Sequence, residues 1–218
     1  MIKLVIFDLD GTLYDYEKCN EFAEIELKNE ISKLFQVSTD EAGQLLTNAK
    51  RNVKNQLGDV AAAHNRLLYM QNICEQKGEK PLKYAMQLYN CYWDTMLEQM
   101  QLFSYVKPVL DMLHERKVFV GILTDLTAHI QYRKLERLQL LNDIDYITTS
   151  EEAGEEKPSQ KMFKKMVEKA KVAPEEALMI GDSKSKDVQG AIEAGIKSIW
   201  YKPGMNLLRE IECILQQE

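Results

Sequence analysis

Two aspartates one residue apart carry the strongest chemical signal in this chain. They stand in the run Val5-Ile6-Phe7-Asp8-Leu9-Asp10-Gly11-Thr12-Leu13. A short apolar run reads as a buried strand, and the carboxyl end of a parallel strand is where α/β proteins place ligands. With Asp8 at the strand end, Asp10 lies on the loop two residues further on, and both carboxylates can face one small cavity. Carboxylates that close repel, so one is protonated or a cation sits between them. Magnesium prefers oxygen ligands and completes its shell with waters and substrate phosphate. The spacing therefore points to a metal-assisted reaction on a phosphate. A solvated acidic loop is the plain alternative.

Such residues need a rigid frame, and the rest of the chain supplies one. From Val118 to Trp200 the pattern alternates strand and helix. Strands are expected at Val118–Leu123, Asp145–Thr149, Ala177–Ile180 and Ile196–Trp200. Helices are expected over Ala128–Leu138, after Pro158 with that proline in the first turn, and at the C-terminal end through Leu207, Leu208, Ile211, Ile214 and Leu215. Alternation of this kind means a parallel sheet with helices on its faces. Between Asp15 and Leu102 the pattern is helical throughout, with segments at Glu17–Phe35, Asp40–Gln56, Ala61–Gln76 and Leu82–Gln99. Ser38-Thr39-Asp40-Glu41 has the form of a capping box. The expected division is residues 1–14 and 103–218 as an α/β core, with residues 15–102 as a helical domain.

Composition excludes several classes. A net charge of −6 over 218 residues argues against a nucleic-acid polymer as partner, which would call for a basic face. Cys19, Cys74, Cys91 and Cys213 are widely spaced, so buried free thiols are expected rather than a zinc site. No apolar run reaches the ~18 residues of a membrane span, and Met1 runs straight into the first strand, leaving no room for a signal peptide. A cytoplasmic monomer or homodimer acting on a small phosphorylated metabolite is the expectation. His64, His114 and His129 lack metal-ligand spacing.

Three further segments follow the Asp-x-Asp run: Gly121-Ile122-Leu123-Thr124-Asp125, then Lys157-Pro158, then Gly181-Asp182-Ser183 with Asp187 and Gly190-Ala191 behind it. Together with Asp-Leu-Asp-Gly-Thr they resemble, in order, the motifs of the haloacid dehalogenase superfamily, over nearly the whole chain. The resemblance implies a Rossmann-like core with a helical cap inserted after the first motif, and magnesium-dependent phosphatase activity. It makes Asp8 the nucleophile that forms an aspartyl-phosphate. Asp10 becomes the general acid, then the base toward water. Thr124 and the Asp125 backbone N–H would bind the phosphoryl group, and Lys157 would neutralise it. The metal would be held by Asp8, Asp10 (through its backbone carbonyl) and Asp182, with Asp187 supporting its waters or Lys157. Asp125 stands where family members often carry asparagine, so its carboxylate should point away from phosphate. Tyr132-Arg133-Lys134-Leu135 and Ser150-Glu151-Glu152 look like nucleotidase-type members, which favours a nucleoside 5′-monophosphate as substrate. Phosphomutase chemistry on a sugar phosphate and a non-catalytic phosphate-binding protein are the alternatives. Dehalogenation is disfavoured because Asp10 is present.

Overall fold

The computed structural model describes residues 1–58 and 60–216. Its chain forms two compact units, one of residues 1–15 and 101–218, the other of residues 16–100.

The first unit is built on a five-stranded, wholly parallel sheet: β1 (Leu4–Phe7), β2 (Phe119–Thr124), β3 (Tyr146–Thr149), β4 (Ala177–Gly181) and β5 (Lys197–Trp200), in the order β3-β2-β1-β4-β5. The centre of the sheet is β1, and its four residues are almost fully buried. A strand covered on both faces must be apolar throughout, which explains the unbroken Leu-Val-Ile-Phe run. Leu4 and Ile6 share one face and pack with Met162, Phe163 and Met166. Register aligns Phe7 with Ile122 on one side and Ile180 on the other. The ends of β1, β2 and β4 therefore lie side by side, and they place Asp8, Thr124–Asp125 and Asp182 next to one another.

Helices of this unit are α5 (Val106–Glu115), α6 (Ala128–Arg137), α7 (Ser150–Ala153), α8 (Gln160–Ala170), α9 (Gly190–Glu193) and α10 (Leu207–Gln216). The expected position of Pro158 inside the first turn of α8 is not what is found. Ser159 is the N-cap, its hydroxyl accepting from the Lys161 N–H, and the helix starts at Gln160. A serine cap satisfies a free N–H that proline cannot help, so the start moves past it. On α10 the buried face holds Leu207 and Ile211, which leaves Cys213 exposed, against the expectation of buried thiols; Cys19 and Cys74 are buried.

The second unit is all-helical: α1 (Tyr16–Phe35), α2 (Thr39–Leu57), α3 (Arg66–Gln76) and α4 (Pro81–Gln99). Ser38 caps α2 through the Glu41 N–H at 3.1 Å. The single helix expected over Ala61–Gln76 is instead a 3-10 turn, Ala61–His64, followed by α3. Asn65 makes the break, taking an extended conformation and accepting from the Leu67 N–H at 3.0 Å. Buried Arg66 lies within 5.9 Å of the Tyr69, Tyr92 and Trp93 rings and donates to Tyr16. Among the described residues no helix is long and apolar enough to cross a membrane.

Candidate active site

The residues singled out by sequence converge at the carboxyl ends of the central strands. Asp8, Asp10, Thr124, Asp125, Lys157, Asp182 and Asp187 line one cavity of about 180 Å³ together with Ser183 and Lys186. All of them belong to the sheet-bearing unit.

Asp8 directly follows β1, and its N–H donates to the Ile180 carbonyl at 2.9 Å, extending the pairing with β4 by one residue. Its side chain is buried and fully engaged: Oδ1 accepts from Lys157 Nζ at 2.5 Å and Oδ2 from the Thr12 hydroxyl at 3.2 Å. Lys157 also reaches Asp187 Oδ1 at 2.7 Å. Two buried carboxylates thus share one ammonium, leaving one negative charge uncompensated. The Asp8 carboxyl is pushed up to about 7, chiefly by burial; Lys157 opposes the rise, and Asp187 and Asp10 add to it. For Lys157, burial works against the charge, but Asp8, Asp187 and Asp125 outweigh it and hold the ammonium protonated beyond the ordinary lysine range.

Asp182 sits at the exit of β4, an exposed residue whose carboxyl is raised by partial desolvation at the cavity and by Asp187. Its loop is held from two sides. The Asp182 N–H donates to the Thr12 hydroxyl at 3.1 Å, and the Trp200 indole N–H donates to the Asp182 carbonyl at 2.9 Å. Trp200 is 39% exposed, with Lys202 Nζ 3.9 Å from its ring centre. Close approach here requires glycine. Gly11 has φ +87°, and a Cβ on it would lie 2.5 Å from Asp182 Oδ2; a Cβ on Gly181 would strike the Asp187 carboxylate.

Oxygens of Asp8, Asp182 and Asp187 lie within 4.8 Å of one another, a spacing that suits a divalent cation. Asp187, like Asp8, is held through both oxygens. Its Oδ1 takes Lys157 and its Oδ2 accepts from the Ser183 N–H at 2.9 Å. Asp182 is the one exposed carboxylate of the three, and all-oxygen ligation with one excess negative charge fits magnesium.

The Asp10 side chain lies outside this cluster. Both its oxygens accept from Lys134 Nζ, at 2.7 and 2.6 Å, and Oδ1 accepts from the Tyr14 hydroxyl at 2.5 Å. Thr124 is buried at the end of β2, with its hydroxyl 2.6 Å from Gln131 Nε2. Asp125 is turned to protein partners: Oδ1 accepts from the Lys157 N–H at 3.0 Å and Oδ2 from Lys186 Nζ at 2.9 Å. Aspartate at this position ties the strand end to the Lys157 loop.

Sequence reasoning did not pick out Thr12, Gln131 or Lys134 for the site. The threonine could have been found by its place two residues past Asp10. The other two carried a subtler mark, polar residues on the inner face of α6, where Ile130 and Leu135 are buried. Exposed Glu151 caps α6, accepting from the Ala128 N–H at 2.8 Å.

A family model described as haloacid dehalogenase-like hydrolase matches residues 5–201. Ribulose-1,5-bisphosphate 5-phosphatase of Halopiger xanaduensis is 35% identical over 93% of this chain and 86% of its own. A pyrimidine 5′-nucleotidase of Streptococcus pneumoniae is 29% identical over 92% of this chain and 84% of its own. Among solved structures, a 2-haloacid dehalogenase from Pseudomonas syringae superposes with a TM-score of 0.78 at 25% identity, covering 100% of both chains.

Proposed function

This chain belongs to the haloacid dehalogenase-like hydrolases, and on that footing we propose that it is a magnesium-dependent phosphatase of small phosphate monoesters. The observation that carries the reading is the pairing of buried Asp8 with Lys157 beside Asp182 in one cavity. A nucleophilic carboxylate, a fixed cation and a second carboxylate at the mouth are the parts phosphoryl transfer needs.

Asp8 attacks phosphorus, the ester P–O bond breaks, and an aspartyl-phosphate forms. Asp10 gives a proton to the departing oxygen. Water then attacks the phosphoryl group, Asp10 takes the water's proton, and Asp8 is released as a carboxylate. Throughout, Lys157 neutralises charge on Asp8 and on the phosphoryl oxygens, while the Thr124 hydroxyl and the Asp125 N–H hold those oxygens. Magnesium, when bound by Asp8 and Asp182 with the Asp10 carbonyl, would add a second positive charge where negative charge collects. Asp187 keeps Lys157 in place.

The helical unit, inserted in the chain between Asp15 and Gln101, acts in this reading as a cap that excludes water and selects the substrate. Sugar phosphates stand ahead of nucleoside 5′-monophosphates, because the sugar-bisphosphate phosphatase shares more identity with this chain than the nucleotidase does. The second class stays in the test because the Tyr132–Leu135 stretch has nucleotidase character. Phosphate release from a panel of both classes should require magnesium, and Asp8→Asn should abolish both turnover and an acid-trapped phosphoenzyme. Turnover surviving in Asp8→Asn, or persisting in excess chelator, would end the proposal.

A further inference from the structure

Lys134 is fully buried on α6, a place where helical periodicity asks for an apolar side chain. An ammonium is kept in such a position only when its charge is met by a partner. Here the partner is Asp10, gripped through both oxygens at 2.7 and 2.6 Å. The Tyr14 hydroxyl adds a third donor at 2.5 Å. One helical turn before Lys134, Gln131 lies on the same face, its Nε2 donating to the Thr124 hydroxyl and standing 3.5 Å from Asp10 Oδ2. Its Oε1 is buried without a hydrogen-bond partner, so this amide serves its donors only.

Resting on the phosphatase reading, we propose that Lys134 is a positioning residue that aims the Asp10 carboxylate. A carboxylate gripped by an ammonium at both oxygens, with a phenol at one of them, has a fixed plane and direction. It is thereby kept off the Asp8–Asp182–Asp187 cluster, where a free carboxylate would be drawn to a cation. The side chain remains at the cavity wall, where a leaving oxygen or an entering water must pass. In the second half-reaction the water O–H bond breaks and its proton goes to Asp10. The water oxygen bonds to phosphorus as the acyl-phosphate P–O bond breaks, and Lys134 holds Asp10 in line for that transfer.

The test separates steps that need Asp10 from the one that does not. p-Nitrophenolate leaves without a proton, so single-turnover release from p-nitrophenyl phosphate, with enzyme in excess, reads Asp8 attack alone. In Lys134→Met this step should stay within about threefold of wild type, while steady-state turnover of an alkyl phosphate falls by about 100-fold or more, as expected for lost acid–base catalysis. Acid-quenched Lys134→Met should also accumulate phosphoenzyme, which mere loosening of the fold would not produce. Lys134→Arg, retaining a cation, should recover part of the turnover. Should Lys134→Met fail to fold, Tyr14→Phe removes a donor to Asp10 without burying new charge and must show the same selective loss. Equal losses in both assays, or undiminished alkyl-phosphate turnover, would overturn the inference. A wild-type enzyme with no magnesium-dependent release from either ester would instead refute the phosphatase reading, and this inference with it.

Discussion

Replacing Lys157 by Met tests the electrostatics of the site most directly. Lys157 is 4% exposed, and its ammonium touches Asp8 at 2.5 Å and Asp187 at 2.7 Å. Methionine fills similar volume, so packing changes little and the loss is almost purely of charge. Removing one member of a buried ion pair costs about 3–5 kcal/mol, because the partner is left uncompensated. In a chain of this size that translates to roughly 6–20 °C in Tm, at about 2–4 °C per kcal/mol. The cost must also depend on pH. Without the ammonium that pulls it back, the Asp8 carboxyl binds its proton more tightly still in the folded state than in the unfolded one. A raised folded pKa contributes stability that is complete below the unfolded value and is lost as pH rises through the folded value. The deficit of Lys157→Met relative to wild type should therefore be small near pH 5 and large near pH 8, in about the range where the raised Asp8 carboxyl titrates. Thermal unfolding by circular dichroism in chelator, at several pH values, reads it. Asp187→Asn in the same background should return part of the loss, since it deletes one of the two stranded charges. A deficit under about 1 kcal/mol, or one that does not grow with pH, would refute the account of a buried, under-neutralised cluster.

Wild-type protein carries a weaker form of the same dependence. With the Asp8 carboxyl raised from 3.8 to about 7, its contribution is fully present below the lower value and is lost as pH rises through the higher one. Magnesium, by meeting that charge, should raise Tm more at pH 8 than at pH 5; an equal effect at both would count against Asp8 as a ligand. Gly11→Ala should cost about 1–2 kcal/mol from backbone strain alone at φ +87°. It should also weaken magnesium binding, because the new methyl displaces Asp182, and calorimetric titration would show unchanged affinity if that geometry were mistaken.

How far the sequence discloses the site depends on the kind of interaction. Asp8, Thr124 and Asp182 are legible because each sits at a strand exit, and strands are set by short-range apolar pattern; Lys157, in the loop before α8, is marked by the proline beside it. The wholly parallel sheet follows from the same alternation. Lys134 and Gln131 are less legible because a lysine in an amphipathic helix is normally solvent-facing; only its register against Ile130 and Leu135 marks it as inward. The grip on Asp10 joins residues 124 positions apart, a separation no local pattern encodes. Leu126, at φ +82°, is a further surprise, since that conformation ordinarily falls to glycine. Helix boundaries shifted where a single polar side chain outbid periodicity, as Asn65 does before α3 and Ser159 does before α8.

The indole of Trp200, bonded to the carbonyl of the Asp182 loop, makes the protein its own optical probe. The chain has just one other tryptophan, Trp93, 2% exposed within the helical unit. Their contrasting environments put one emitter in water and the other in an apolar interior, so the two bands separate by wavelength. Ion loading at the sheet would modulate the red-shifted band, and melting of the helices would modulate the blue one. Each half of the molecule can thus be followed without a label.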